Sequence, residues 1–127
     1  IRELLERLNQ EGFPLYVATS KPERTALEVL DKFELAKYFR RVCGADFAGT
    51  RDNKEDVLRY LLKSLPEGRR AVMVGDTIYD VEGANRFGIP TIGVTWGFGN
   101  AEEMRNAGAA AIVDSMKELL EELAEMK

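Results

Sequence analysis

Apolar residues along the chain switch repeatedly between helical and strand-like spacing. Those in the first eleven positions recur at intervals of three and four, which predicts a helix over residues 1–11 that Gly12 ends. The short apolar run at residues 13–18 predicts a strand. The same reasoning predicts helices over residues 22–33, 54–63, 79–87, 102–107 and from 115 onward, a short turn over 35–39, and strands over 41–45, 71–74, 91–94 and 111–113.

The regular alternation of strand and helix predicts an α/β fold. Consecutive parallel strands need a crossover connection, and the predicted helices supply it, so we expect a parallel sheet with helices on both faces. In such a sheet, ligands bind in the crevice at the carboxyl ends of the strands. The residues that directly follow the predicted strands are therefore the first candidates for a functional site.

Two carboxylates follow the predicted strand at residues 71–74. Asp76 comes directly after Gly75, and Asp80 lies four positions further on. Carboxylates this close repel each other unless they are hydrogen-bonded, share a proton or hold a cation, and oxygen ligands that leave room for water suit Mg²⁺. The alternative is that Asp76 caps the following helix and Asp80 favours its dipole. Small residues on both sides of the pair allow close approach of helix and sheet and favour the metal site.

Two hydroxyl residues, Thr19 and Ser20, follow the first predicted strand and precede the helix predicted at residues 22–33. Hydroxyl groups and backbone N–H groups without intrahelical partners form an anion site at a helix N-terminus. The alternative is that Thr19 or Ser20 caps the helix, a role that does not exclude phosphate binding.

Lys54 opens the helix predicted at residues 54–63. A lysine at a helix N-terminus works against the helix dipole, which makes the placement unusual. Lys54 is either an ordinary surface residue or, if it faces the same crevice as the hydroxyls, a cation that holds a phosphate and reduces repulsion between carboxylates.

The composition excludes several kinds of chemistry for these residues. The 127 residues contain no His, which removes His-ligated zinc and the Ser-His-Asp and Cys-His mechanisms. Cys43 is the single cysteine, and its apolar context predicts a buried thiol in a reducing, cytoplasmic protein. A net charge of −4 without a basic stripe argues against nucleic-acid binding. No apolar run has the length of a membrane span, so no membrane association is expected.

Three segments, in this order, resemble the conserved motifs of the haloacid dehalogenase (HAD) superfamily. Residues 17–22 are similar to its second motif, residues 53–57 to its third and residues 74–84 to its fourth. The loop at residues 93–99 is most similar to the phosphoglycolate phosphatase and 5′-nucleotidase-like branch. The resemblance covers nearly the whole chain and implies one core domain over residues 1–127, a Rossmann-like parallel sheet in three α/β/α layers.

The resemblance also implies a role for each candidate residue. Thr19 and the Ser20 amide would bind the phosphoryl oxygens of a small phosphorylated substrate, and Lys54 would neutralise them. Asp76 would coordinate Mg²⁺, and Asp80 would support the metal shell. These roles describe a Mg²⁺-dependent phosphatase in which Thr19, Lys54 and Asp80 belong to the catalytic machinery.

The first motif of the family, Asp-x-Asp after a hydrophobic strand, does not occur in residues 1–127. In the family, its first Asp is the nucleophile that forms an aspartyl phosphate, its second Asp is the acid–base residue, and its strand lies centrally, between the strands that end at Thr19 and Asp76. The helical cap between the first and second motifs has no counterpart here either. We therefore expect an N-terminal segment of the same protein to precede Ile1 and the 127-residue chain alone to be inactive.

Two other functions stay open. One is a non-catalytic anion-binding or interaction domain of the HAD fold. The other is a signalling receiver domain, although receivers place the acidic pair early and the lysine late, opposite to the order here. In the HAD family the cap largely sets specificity, so phosphoglycolate, nucleotides and other small phosphoesters are all compatible substrates. Trp96 and Phe98 either face the cap or the substrate entrance or pack in the core.

Overall fold

The computed structural model describes residues 2–46, 53–65, 70–97 and 99–126, and it divides into two compact units. The first unit comprises residues 1–65 and the second residues 66–127, and each is described by itself. Both contain parallel strands connected through helices, which confirms the predicted α/β class. None of the helices in the described ranges is long and apolar enough to cross a membrane.

The first unit contains a parallel pair of strands. Its elements are α1 (Arg2–Gln10), β1 (Tyr16–Pro22), α2 (Glu23–Lys32), a 3₁₀ turn (Ala36–Tyr38), β2 (Arg41–Ala45) and α3 (Lys54–Leu62). Ala18 of β1 lies opposite Cys43 of β2. The Cys43 side chain is completely buried against Val57 and Leu61 of α3, so the predicted buried cysteine is confirmed.

The second unit contains a parallel three-stranded sheet. Its elements are β3 (Met73–Gly75), α4 (Ile78–Asn85), β4 (Thr91–Val94), α5 (Ala101–Asn106), β5 (Ala111–Val113) and α6 (Met116–Glu125). The strand order is β3-β4-β5, with Gly75 opposite Gly93 and Gly93 opposite Ile112. β4 is buried along its whole length, as expected for the central strand of a parallel sheet covered by helices. Ile92, Met104 and Leu119 are among the largest fully buried side chains.

Capping residues explain where several helices begin. Asn53, Asn100 and Ser115 precede α3, α5 and α6, and each side chain accepts the backbone N–H three residues further on. These contacts satisfy N–H groups that have no partner inside the helix. The caps fix the helix starts within one residue of the predicted positions.

The boundaries of two predicted strands are wrong: the end of the first, which lies beside the candidate site, and the start of the third, which lies at the opposite end of its strand. The first strand continues to Pro22 instead of ending at residue 18, and α2 begins at Glu23, because Pro22 has ψ of 134°, which is not helical. The third strand begins at Met73 instead of residue 71. Pro22 pairs with Ala45 of β2, a long-range contact that local periodicity does not report.

Candidate active site

A bulge in β1 carries the candidate anion-binding hydroxyls. Ala18 pairs with Cys43 and Pro22 with Ala45, so Thr19, Ser20 and Lys21 oppose the single residue Gly44. Such a bulge bends the strand and redirects its side chains, and bulges are common beside active sites. Thr19 and Ser20 therefore lie at an irregular strand end and not in regular β-structure.

The hydroxyl of Thr19 belongs to this bulge and not to a helix cap. Thr19 Oγ1 accepts the backbone N–H of Lys21 at 3.2 Å. The N-cap of α2 is Pro22, which forms no side-chain capping hydrogen bond. The interpretation that Thr19 or Ser20 caps α2 is therefore wrong, because the strand persists to Pro22.

Gly44 makes the bulge possible, and the sequence interpretation missed it. A Cβ atom at Gly44 would lie 2.6 Å from the Lys21 carbonyl oxygen and 2.7 Å from the Glu23 Cα. The Gly44 N–H donates to Glu23 Oε1 at 3.2 Å, which ties β2 to the first residue of α2. A glycine inside a strand often marks close backbone approach, so this signal was present in the sequence.

Lys54 reaches the end of β1. Its Nζ donates to the Ala18 carbonyl oxygen at 2.7 Å, and the residue is partly buried. Ala18 is joined through this carbonyl to Thr19, so the first unit brings the ammonium group to the start of the bulge. The side chain is thus directed to the strand end, and its role as a phosphate-binding cation stays a prediction.

The two carboxylates of the second unit are arranged by the turn between β3 and α4. One oxygen of Asp80, Oδ2, accepts the Asp76 N–H at 3.1 Å and the Thr77 N–H at 3.2 Å. The same oxygen accepts the Thr77 hydroxyl at 3.2 Å. Asp80 is only 7% exposed. Three donors at one oxygen stabilise its negative charge in this buried position and fix the backbone on which Asp76 stands.

The capping alternative for this pair is half correct. Thr77, and not Asp76, is the N-cap of α4, while Asp80 occupies the third helical position and accepts the cap's backbone N–H. Asp80 thus lies in the first turn, where the helix dipole favours a carboxylate. Asp76 does not cap the helix and is a partly buried carboxylate directly after β3.

Gly75 permits this arrangement from the strand side. A Cβ at Gly75 would overlap the Asp80 side chain. The glycine before Asp76 therefore leaves the space that the Asp80 carboxylate occupies. The sequence interpretation connected Gly75 with close packing in general, and the structure identifies the atom group that needs the space.

The donor set at the end of β3 fits Mg²⁺. Asp76 and Asp80 offer carboxylate oxygens, and Mg²⁺ is usually bound through one or two carboxylates while several of its waters remain. Within the described residues there is no group of three or more His, Cys, Asp and Glu side chains that would suit a metal held by protein ligands alone. Asp76 would be the direct ligand, because Oδ2 of Asp80 is engaged by the turn.

The predicted site residues fall into two groups. In the first unit, Lys54 bonds to Ala18, the residue before Thr19 and Ser20, and in the second unit Asp80 accepts the Asp76 N–H. Trp96, in the loop after β4, is 46% exposed, so of its two alternatives the buried one is wrong. Phe98 lies outside the described residues.

The family model for haloacid dehalogenase-like hydrolases matches residues 1–88. The chain belongs to this family. The match includes both groups of candidate residues and confirms the resemblance drawn from the three motifs.

Curated relatives carry phosphoryl-transfer names. The chain is 44% identical to a 5′-nucleotidase of Pseudomonas aeruginosa over 83% of its own length and 48% of the relative. It is 40% identical to the tyrosine-protein kinase PtkA of Mycobacterium tuberculosis over 94% of its length and 43% of the relative. It is 32% identical to a phosphoglycolate phosphatase of Vibrio parahaemolyticus over 98% of its length and 55% of the relative. The chain thus spans about half the length of these relatives.

Solved structures agree with the fold. A predicted phosphatase from Clostridium acetobutylicum superposes with a TM-score of 0.91 at 45% identity, over 98% of this chain and 58% of that one. The Rossmann-like α/β core of the haloacid dehalogenase phosphatases is therefore the fold of this chain.

Proposed function

We propose that the intact protein containing residues 1–127 is a Mg²⁺-dependent phosphatase that hydrolyses small phosphomonoesters through an aspartyl-phosphate intermediate. The hydrogen bond from Lys54 Nζ to the Ala18 carbonyl carries the proposal, because it holds a cation at the strand end that bears Thr19 and Ser20. Family membership and the names of the relatives support the phosphatase class.

The residues of the first unit bind and neutralise the phosphoryl group. Thr19 Oγ1 already accepts the Lys21 N–H, so its own hydroxyl hydrogen is left to donate to a phosphoryl oxygen. The Ser20 amide lies in the same bulge, and the Lys54 ammonium supplies positive charge beside it. Phosphoryl transfer depends mainly on positioning and charge stabilisation, which these groups provide.

The residues of the second unit orient the metal ligand. Asp80 accepts the Asp76 N–H and holds the turn in place, so the Asp76 carboxylate projects from a fixed backbone. Bound there, Mg²⁺ would neutralise the phosphoryl oxygens and draw charge from the transition state. Asp80 thereby acts on the chemistry through Asp76.

The nucleophile comes from an N-terminal segment of the same protein. By resemblance to the family, an Asp carboxylate there attacks phosphorus, the P–O bond to the alcohol breaks, and the departing oxygen receives a proton from the second Asp of that motif. Water then cleaves the aspartyl phosphate and releases inorganic phosphate. Residues 1–127 alone, which contain no Asp-x-Asp, would be inactive in this scheme.

The test is phosphate release by the intact protein from phosphoglycolate, a nucleoside monophosphate and p-nitrophenyl phosphate, with and without Mg²⁺. We expect Mg²⁺-dependent release that Asp76→Asn abolishes and that Asp31→Asn, an exposed change on α2, leaves intact. Mg²⁺ should also raise the melting temperature of the wild type but not of Asp76→Asn. Release that is unaffected by Asp76→Asn would contradict the metal assignment.

Two further results would redirect the proposal. Transfer of phosphate from ATP to a tyrosine peptide, without monoester hydrolysis, would favour the activity named for the mycobacterial relative. Phosphate binding without turnover of any substrate would favour a non-catalytic anion-binding domain.

A cytoplasmic location accompanies the proposal and is supported by the single buried thiol.

A further inference from the structure

Two glycines of the loop after β4 pack directly on Asp76. A Cβ at Gly97 would overlap the Oδ2 and Cβ atoms of Asp76 and would lie 2.6 Å from its Cγ. A Cβ at Gly99 would overlap the Asp76 carbonyl oxygen and would lie 2.9 Å from the Thr77 Cα. Gly97 thus contacts the carboxylate side chain, and Gly99 contacts the backbone that carries it.

Backbone conformation does not explain these glycines. The described glycines with positive φ are Gly12, Gly88 and Gly108, and neither Gly97 nor Gly99 is among them. At both positions, the contact with Asp76 or Thr77 is enough to exclude a side chain. Rotation of the Asp76 side chain would not relieve the overlap at Gly97, because the Cβ of Asp76 is itself one of the atoms in contact.

Residues on either side of the two glycines form hydrogen bonds with other parts of the second unit. At its start, Thr95 donates its N–H to the Val113 carbonyl at 3.1 Å and its hydroxyl to Asp114 Oδ1 at 2.8 Å. At its end, Asn100 caps α5 by accepting the Glu103 N–H at 3.1 Å. The glycine contacts are therefore made by a segment anchored to β5 and α5.

We propose that Gly97 and Gly99 are positioning residues that hold the Asp76 carboxylate in the orientation it needs as a metal ligand. Asp80 accepts the Asp76 backbone N–H and so fixes the backbone at Asp76. Gly97, in the loop after β4, packs against the Asp76 side chain and limits the positions that its carboxylate can take. The metal part of this inference rests on the proposed function. The contact between positions 76 and 97 does not.

Gly97→Ala should therefore act through Asp76 in particular. An alanine methyl group forces the carboxylate or the loop to shift, and changes to residues that orient a metal ligand typically weaken metal binding about 10- to 100-fold. Gly93→Ala is the matched control, because the atoms nearest to a Cβ there are the ends of two apolar side chains, Ile112 Cδ1 at 2.8 Å and Met104 Sδ at 3.0 Å.

The first measurement is thermal unfolding of the intact protein without metal. We expect Gly97→Ala to lower the melting temperature in the wild-type background and to lower it much less in an Asp76→Gly background, where the contacted side chain is gone. Gly93→Ala should lower the melting temperature by the same amount in both backgrounds. An equal fall in melting temperature for Gly97→Ala in the two backgrounds would overturn the inference. If Gly97→Ala does not fold in the wild-type background, folding of the Gly97→Ala, Asp76→Gly double variant would support the inference, and failure of the double variant to fold would overturn it.

The second measurement is the Mg²⁺ concentration that gives half of the maximal rise in melting temperature. We expect Gly97→Ala to raise it about 10-fold or more and Gly93→Ala to leave it near the wild-type value. An unchanged Mg²⁺ response in Gly97→Ala, with a normal response in the wild type, would overturn the inference alone. No response in the wild type would overturn the proposed function and the metal role of these glycines with it.

Discussion

Replacement of Lys54 by methionine separates a catalytic cation from a structural one. Methionine keeps most of the length and apolar character of the lysine side chain but removes the ammonium group that donates to the Ala18 carbonyl at 2.7 Å. The helix start is retained, because Asn53 caps α3 independently by accepting the Asp56 N–H at 2.9 Å. The change therefore removes the positive charge, and with it the hydrogen bond to Ala18, while the helix cap stays in place.

The expected loss of stability is small. A hydrogen bond from a charged donor contributes about 1.5–3 kcal/mol, and removal of a lysine from the first turn returns about 0.3–1 kcal/mol of unfavourable dipole interaction. For this hydrogen bond and the dipole together, the net cost to the free energy of unfolding is about 0.5–3 kcal/mol. Domains of this size are typically stable by about 5–15 kcal/mol, so the variant stays folded.

The expected loss of turnover is much larger. A unit charge about 4 Å from a phosphoryl oxygen contributes about 4 kcal/mol at an intermediate dielectric before desolvation. Since about 1.36 kcal/mol corresponds to a tenfold change in rate, this sets an upper limit of about 1,000-fold. Removal of a single electrostatic donor from an active site commonly costs about 100- to 1,000-fold, which agrees.

The assay compares kcat and kcat/KM of the intact wild type, Lys54→Met and Lys63→Met with a phosphomonoester and Mg²⁺, alongside unfolding in urea. Lys63 is the matched control, because it is an exposed lysine at the other end of α3. We expect kcat and kcat/KM to fall together in Lys54→Met, as they do when a transition-state interaction is lost. Turnover of Lys54→Met within about twofold of the wild type would refute the reasoning and leave Lys54 a structural residue.

Three further predictions concern single contacts. Gly44→Ala should cost about 1–3 kcal/mol of stability in denaturant unfolding, because its Cβ meets backbone atoms of the bulge, and no measurable cost would show that the bulge can relax. Thr91→Val should raise stability by about 1 kcal/mol, because Thr91 Oγ1 is buried without a hydrogen-bond partner among the described residues, and a loss of stability would contradict this. The hydrogen bond from the Tyr38 hydroxyl to Glu6 raises the pKa of Tyr38. The stability that this bond contributes is therefore present below the ordinary tyrosine pKa of 10.0 and is lost as the pH rises through the raised value. Glu6→Gln should lower the Tyr38 pKa in a spectrophotometric titration, and an unchanged pKa would contradict this cause.

Local periodicity predicted nearly all of the described helices and strands. The bounds predicted for β2, β4 and β5 are those observed, and β4 is a fully buried apolar run of the kind that periodicity reports best. The end of β1 was not predictable in this way. It depends on the pairing of Pro22 with Ala45, which lies far away in the sequence.

The candidate site shows the same division between local and long-range information. The chemistry of Asp76, Asp80 and Lys54 could be proposed from residue type, spacing and family resemblance. The contact of Lys54 with Ala18 joins residues 36 positions apart, so the sequence pattern could not predict it. Gly97 is a further case, since its importance comes from the Asp76 atoms that a side chain would displace.

The resemblance also explains why half of the chemistry is assigned outside residues 1–127. The described residues supply a cation, hydroxyls and carboxylates, and the chain spans about half of its curated relatives. The proposed nucleophile belongs to the family's first motif. The central claim is therefore that these residues bind and activate a phosphoryl group that another segment of the same protein attacks.

The most direct test is phosphate release from a simple phosphomonoester with Mg²⁺, measured for residues 1–127 alone and for the same residues preceded by their N-terminal segment. We expect release by the longer protein, loss of that release when the first Asp of the Asp-x-Asp motif is replaced, and none by the 127-residue chain. Uncatalysed monoester hydrolysis is so slow that enzymes accelerate it up to ~10²¹-fold, so the background is negligible. Robust hydrolysis by the 127-residue chain, proportional to its concentration and lost on Asp76→Asn, would contradict the account and require a nucleophile among the residues present.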